Sequence, residues 1–138
     1  MRVYLILIML LVTSFVGSAL ATTIDVPADQ PTIRAGIDAA LAGDTVRVAC
    51  GIYYEHDIVM KSGVWLRGRN GDPACVTIAA QRLGRAIQCS NVDAAARIEG
   101  FTITGGYVTG GSMPRGGAIS LLFSSPAIRL ASSIEVSR

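Results

Sequence analysis

The chain has 138 residues, a formal net charge of +2, one histidine and three cysteines. Its 12 basic and 10 acidic residues nearly cancel, which argues against a nucleic-acid partner. Hydrophobic residues make up 51% of the chain. The excess is concentrated at the N-terminus, and the remainder has the composition of an ordinary single domain with one modest core.

Residues 1–21 read as a secretory signal peptide cleaved after Ala21. Arg2 supplies the positive start, Leu5 to Val16 the apolar run, and Ala19-Leu20-Ala21 the small residues that a signal peptidase needs. The run is broken by Thr13 and Ser14 and is shorter than the ~20 residues that span a bilayer. No later segment is long enough to serve as a membrane span, and no cysteine follows the cut to carry a lipid. The expected location is therefore secreted, periplasmic or cell-surface. Arg2 is the only charged residue lost with the leader, so the remainder stays close to neutral. Lys61 is the only lysine, and the other basic residues are arginines, which favour planar, bidentate contacts with carboxylates.

After the leader, Thr23 to Val26 reads as a short strand, punctuated by Pro27 and Pro31. Ile33, Ile37 and Leu41 recur at a spacing of four, predicting one amphipathic helix from Thr32 to Leu41, with Gly43 as its stop. Residues 22–45 thus form an N-terminal cap of strand plus helix. Beyond Asp44 the period becomes two. Strands are predicted at TVRVA (45–49), DIVM (57–60), VWLRG (64–68), CVTIA (75–79), AIQCS (86–90), ARIEGFTIT (96–104), GAIS (117–120) and PAIRL (126–130). Gly-, Asn- and Asp-rich turns separate them, which predicts an all-β architecture.

Two interleaved series of apolar centres favour a solenoid over a sandwich or barrel. Val48, Leu66, Ile87 and Ile119 form one, and Ile58, Ile78, Ile103 and Ile128 the other. Most steps are near 20 residues, which predicts one coil per pair of strands, about four coils over residues 46–138. The glycine-rich stretch between Gly105 and Gly117 is expected to be an external loop.

The run IDVPADQPTIRAGIDAALAGDTVRVACGIYYE (24–55), followed by IEGFTITGG (98–106) and GGAIS (116–120), resembles secreted right-handed parallel β-helix proteins of the pectin-lyase-like superfamily. The resemblance implies that the first motif forms the N-terminal cap and first coil, and that the second forms a later coil. Handedness and superfamily come from the resemblance alone. The helix is placed to cover the first coil, because an uncovered end exposes unpaired strand edges. The tail RLASSIEVSR alternates in polarity but carries no helix and no stop. Two expectations follow: either the chain is the N-terminal portion of a longer β-helix, prone to self-association through its open C-terminal end, or the tail folds over that end.

The resemblance also raises catalysis, since lyases of this type gather acidic residues on successive coils around calcium, with an Arg or Lys base. Here Asp57, Thr77, Glu99 and Thr102 fall on the second strand series, with Asp57 and Glu99 two coils apart. That is about 10 Å at ~4.8 Å per coil, too far to share an ion. No metal site or catalytic residue is assigned, and calcium is implied by the resemblance only. Asp44, Asp72 and Asp93 read as turn residues. The Glu55-His56-Asp57 run is not expected to form a triad, since adjacent strand side chains point to opposite faces, and His56 reads as a surface turn residue. Tyr53 and Tyr54 read as packing at the first corner.

The strongest binding candidate is an outward row. With Val46, Val48, Val64 and Leu66 inward, Arg47, Trp65 and Arg67 point out on adjacent coils, and Gln88 is expected to continue them. A tryptophan beside arginines on a flat sheet suits a sugar ring with a carboxylate. Tyr107, on the glycine-rich loop, is a further contact candidate. Among the cysteines, Cys50 and Cys89 fall two coils apart, about 10 Å, beyond the ~7 Å that a disulfide bridges. Cys50–Cys75, Cys75–Cys89 and free thiols all stay open. The expected function is a binding surface for polysaccharide or another cell-surface component. The alternatives are the first part of a polysaccharide lyase or hydrolase, and a structural spacer in a surface fibre.

Overall fold

The computed structural model describes residues 20–93 and 95–107, and three later strands by backbone pairing alone. The elements are β1 (Thr23–Val26), α1 (Ile33–Ala39), β2 (Thr45–Val48), β3 (Gly51–Tyr53), β4 (Ile58–Val59) and β5 (Trp65–Gly68). A short 3-10 turn (Arg69–Gly71) precedes β6 (Val76–Ala79), β7 (Ile87–Ser90), β8 (Arg97–Glu99) and β9 (Phe101–Thr104). The backbone-only strands are β10 (Ile119–Leu122), β11 (Arg129–Leu130) and β12 (Ile134–Ser137). Residues 1–19 of the expected 1–21 leader and residues 108–118 of the glycine-rich stretch, expected to be an external loop, lie outside the described residues.

The strands form three parallel sheets. Sheet A runs β1-β2-β5-β8-β11, sheet B β3-β6-β9-β12, and sheet C β4-β7-β10. From β2 onward the chain visits A, B and C in constant order, and each strand pairs with those one circuit before and after it. A circuit therefore holds three strands, where the sequence periodicity predicts two. The difference lies in sheet B. The short strand Gly51–Tyr53 is not among the predicted ones, and ARIEGFTIT, predicted as one strand, is split by Gly100 into β8 and β9. Gly100 has φ +75, a left-handed conformation that glycine adopts without penalty.

In-register pairing stacks like on like. Val46 lies beside Leu66 and Leu66 beside Ile98 in sheet A; Ile78 pairs with Ile103 in sheet B and Ile58 with Ile87 in sheet C. All of these side chains are fully buried, with Phe101 and Val76 between them. Each such burial contributes roughly 1.5–3 kcal/mol. At the Gly100 corner the backbones come close: a Cβ on Gly68 would lie 2.0 Å from the Gly100 carbonyl oxygen.

The helix α1 packs on β1, β2 and β4 through Ile33, Gly36 and Ile37. Thr32 caps it, its hydroxyl accepting from the Ala35 amide at 3.1 Å. Glu55, 22 positions downstream of Ile33, accepts from the Ile33 and Arg34 amides at 2.8 and 3.0 Å. The helix is shorter than its apolar spacing predicts. It ends at Ala39, and Leu41 lies outside it, 69% exposed, while Ala40 turns inward. Lys61 Nζ donates to the Asp38 and Ala40 carbonyls at 2.8 and 2.9 Å, satisfying the helix end.

Asp44 is the one buried charged residue among the described residues. Its Oδ1 accepts from the Thr22 amide and hydroxyl at 2.8 and 2.9 Å, and its Oδ2 from the Leu41 amide at 2.8 Å. These hydrogen bonds from Leu41 and Thr22 hold the carboxyl below its ordinary value. Of the cysteine pairings left open by spacing, the structure forms Cys50–Cys75, with Cα atoms 4.7 Å apart. The bridge joins the corners leading into β3 and β6, one circuit apart. Closing a loop of this length is worth roughly 3–4 kcal/mol through the unfolded chain. Cys89 is free and buried in β7, and burial pushes its thiol up to about 11.

Two glycines separate packing from backbone strain. Gly68→Ala forces a methyl into a backbone carbonyl and should lower stability by at least ~3 kcal/mol, the upper end of overpacking penalties. Gly43→Ala meets nothing within 4 Å and carries only the strain of φ +98, about 1–2 kcal/mol. Urea unfolding of both variants checks the ranking, and equal losses would contradict the close approach at Gly100.

Candidate functional site

The outer face of sheet A is ordered by the same register. Thr23, Thr45, Trp65 and Arg97 form one row across β1, β2, β5 and β8, and Asp25, Arg47, Arg67 and Glu99 form the next. In the second row the charges pair within the chain. Arg47 Nε and Nη2 donate to Asp25 Oδ1 and Oδ2 at 2.6 and 2.7 Å. That contact holds the Asp25 carboxyl below its ordinary value and the Arg47 guanidinium above its own. Arg67 Nε lies 2.8 Å from Glu99 Oε1, near enough for an ion pair. Its N–H is not aimed at that oxygen, so the shielded Nε makes no hydrogen bond.

Trp65 is half-buried, with the Arg67 and Arg97 guanidinium carbons 5.1 and 5.8 Å from its ring centroid. Both distances fall within cation–π range. The indole Nε1 is shielded from solvent and has no hydrogen-bond partner. Arg97 is exposed and pairs with no carboxylate among the described residues. At the other end of the face, Arg69 lines an open cleft of about 250 Å³ together with Asp25, Pro27, Ala28, Arg47 and Ala49.

Of the sequence-predicted contacts, Arg47, Trp65 and Arg67 come together on sheet A. Gln88 does not continue their row. It sits on β7 in sheet C between Val59 and Ser120, because the third strand of each circuit shifts it to another face. Tyr107 lies beyond β9, its amide donating to the Gly84 carbonyl at 2.8 Å and its ring 5.9 Å from the Arg82 guanidinium carbon. Asp25, Glu99 and Arg97 complete the face but are absent from the predicted contact set. The spacing held a signal for Asp25, which lies 22 positions before Arg47, close to one coil.

The residues weighed for calcium do not fit it. Thr77 and Thr102 are neighbours in sheet B, whereas Glu99 is in sheet A and Asp57 precedes β4 at the edge of sheet C. Among the described residues no three His, Cys, Asp or Glu side chains gather as a metal requires. His56 lies in the turn between β3 and β4, and there the Glu55-His56-Asp57 run lacks the strand geometry that would set neighbouring side chains on opposite faces. Asp57 has φ +51, and His56 Nδ1 lies 3.0 Å from Asp57 Oδ2. Asp57 Oδ1 also accepts from the Arg85 amide at 3.2 Å, and the contact with His56 is the main cause of its lowered carboxyl pKa. Glu55 is occupied by α1, so the run serves local structure. Tyr53 packs on the core and donates to the Ala49 carbonyl at 3.0 Å; Tyr54, expected beside it, is exposed.

The described chain is thus a strand-rich protein of parallel sheets with one α-helix, and none of its described helices is long and apolar enough to cross a membrane. It matches no family model, no curated protein and no solved structure.

Asp25, Asp44 and Asp57 all carry lowered carboxyl pKa values. A carboxyl depressed by folding adds stability above its unfolded value of 3.8, which is lost as pH falls through the folded value. Urea midpoints should therefore be level from pH 7 to about 5 and fall below about pH 4. Asp44→Asn should flatten that acid limb, and a midpoint constant down to pH 2 would contradict these assignments.

Proposed function

We propose that the chain is an exported right-handed parallel β-helix whose sheet A face binds an acidic polysaccharide through Trp65 and Arg97. The observation that carries the binding proposal is the half-buried indole of Trp65 with Arg97 beside it, exposed and without a carboxylate of its own among the described residues. Arg47 and Arg67 are engaged by Asp25 and Glu99 and act as supports. A pyranose offers C–H groups to an aromatic ring, and a uronate carboxylate suits the planar fork of a guanidinium.

The constant A, B, C order of strands supports the β-helix, and right-handedness follows the general preference of parallel crossovers, about 98% of cases. Export is supported by the leader pattern and by the Cys50–Cys75 bridge, which belongs to an oxidising compartment. The resemblance to pectin-lyase-like proteins adds the same fold and no reaction.

Titration calorimetry with polygalacturonate, and with dextran as a neutral control, tests the binding proposal. The wild type should bind the acidic polymer alone. Trp65→Ala and Arg97→Ala should each weaken binding about tenfold or more, roughly 1.4 kcal/mol, whereas Tyr107→Ala should not. No binding by the wild type, or binding unchanged by Trp65→Ala, contradicts the proposal.

A further inference from the structure

The most elaborate polar contact at the start of the fold falls on the residue that follows the expected leader. Thr22 is exposed, yet three of its atoms are held. Its amide nitrogen and hydroxyl both donate to Asp44 Oδ1, at 2.8 and 2.9 Å, and its carbonyl accepts from the Thr45 amide at 2.9 Å. Asp44 is only 7% exposed. Its other oxygen is taken by the Leu41 amide at 2.8 Å, so one carboxylate ties Thr22 to the segment after α1. Leu20 and Ala21 are exposed.

We infer that removal of the leader at the Ala21–Thr22 bond creates a structural ion pair, the new Thr22 α-ammonium docking on the buried Asp44 carboxylate. The inference rests on the export reading given above. In the step, water hydrolyses the peptide bond under a signal peptidase. Ala21 leaves with a carboxylate, and Thr22 keeps the nitrogen, which takes up protons to become an ammonium. An amide N–H donor at 2.8 Å is thereby replaced by a charged donor at the same atom. Charge-assisted hydrogen bonds are roughly twice as strong as neutral ones.

The register of the cut decides the outcome. A cut after Ala19 leaves Thr22 N as an amide, and a cut after Thr22 removes both donors to Oδ1. Only the bond after Ala21 places a charge on the carboxylate. The processed chain then closes the start of sheet A with its own terminus, where β1 enters as the edge strand.

The composition makes the test simple. Lys61 is the only lysine, so the processed chain holds two primary amines, and Lys61 Nζ is bonded to two carbonyls. The full chain is expressed in a secreting host, and the N-terminal residue of the exported product is identified by mass spectrometry. The folded product is then acylated with an amine-reactive ester near neutral pH, beside the same protein in urea and the exported Asp44→Asn variant. The expected result is a chain beginning at Thr22 whose terminal amine is acylated about tenfold or more slowly when folded than in urea. Asp44→Asn should lose that protection. If the variant does not fold, the wild-type comparison with and without urea decides alone. A product beginning at any other residue overturns the inference together with the assigned cleavage site. A product beginning at Thr22 whose amine reacts equally fast folded and unfolded overturns the docking and leaves the export reading intact.

Discussion

Each strand lies in register against the strand one circuit away, at about 4.8 Å, so a residue's neighbours are set by the length of one circuit. Inward, this stacks Leu66 on Val46 and Ile98, and Ile87 on Ile58. Outward, it stacks Arg47 on Asp25 and Arg67 on Glu99, turning isolated charges into a neutral ladder. The corners obey the same spacing. Because circuits are close, Gly68 has no room for a side chain against the Gly100 carbonyl, nor Gly100 for one against the Gly71 backbone. The Cys50–Cys75 bridge and the Glu55 cap on α1 likewise join positions one circuit apart.

Most strands and the start of the helix were legible because alternation and spacing by four are strong signals. The number of strands per circuit was not. Gly51–Tyr53 is three residues long with Ile52 exposed, so it lacks the buried alternation that marks a strand. Gly100 interrupts a run whose polarity continues through the corner. Counting two strands per circuit then carried Gln88 onto the Trp65 row and Asp57 and Glu99 onto one series, which three sheets separate. Leu41 was misplaced for a different reason: the chain leaves the helix at Ala40 to let Asp44 reach the Leu41 amide. The capping role of Glu55 depends on a contact across 22 residues that no local pattern carries.

The character of the sheet A face follows from what the ladder consumes. Charge pairing within the chain takes up Arg47 and Arg67, leaving Trp65 and Arg97 at one end and Arg69 at the other. These are about 13 Å apart along the strand direction from Trp65 to Arg69 at ~3.3 Å per residue. Two adjacent rows of one face thus differ: in one the charges neutralise each other across the strands, and in the other Trp65 lies beside Arg97, which has no carboxylate partner among the described residues. Asp44 does for Thr22, ahead of β1, what Glu55 does for α1, supplying a carboxylate to donors that would otherwise end unpaired.

The count of three strands per circuit underlies every assignment of a residue to a face, and a pairwise distance tests it most directly. Nitroxide labels on Val59 and Gln88, in a Cys89→Ala background, should show strong dipolar broadening, because the two positions are direct neighbours in sheet C. Labels on Arg67 and Gln88 should show none. Broadening in the second pair and its absence in the first would restore a two-strand circuit and contradict the account.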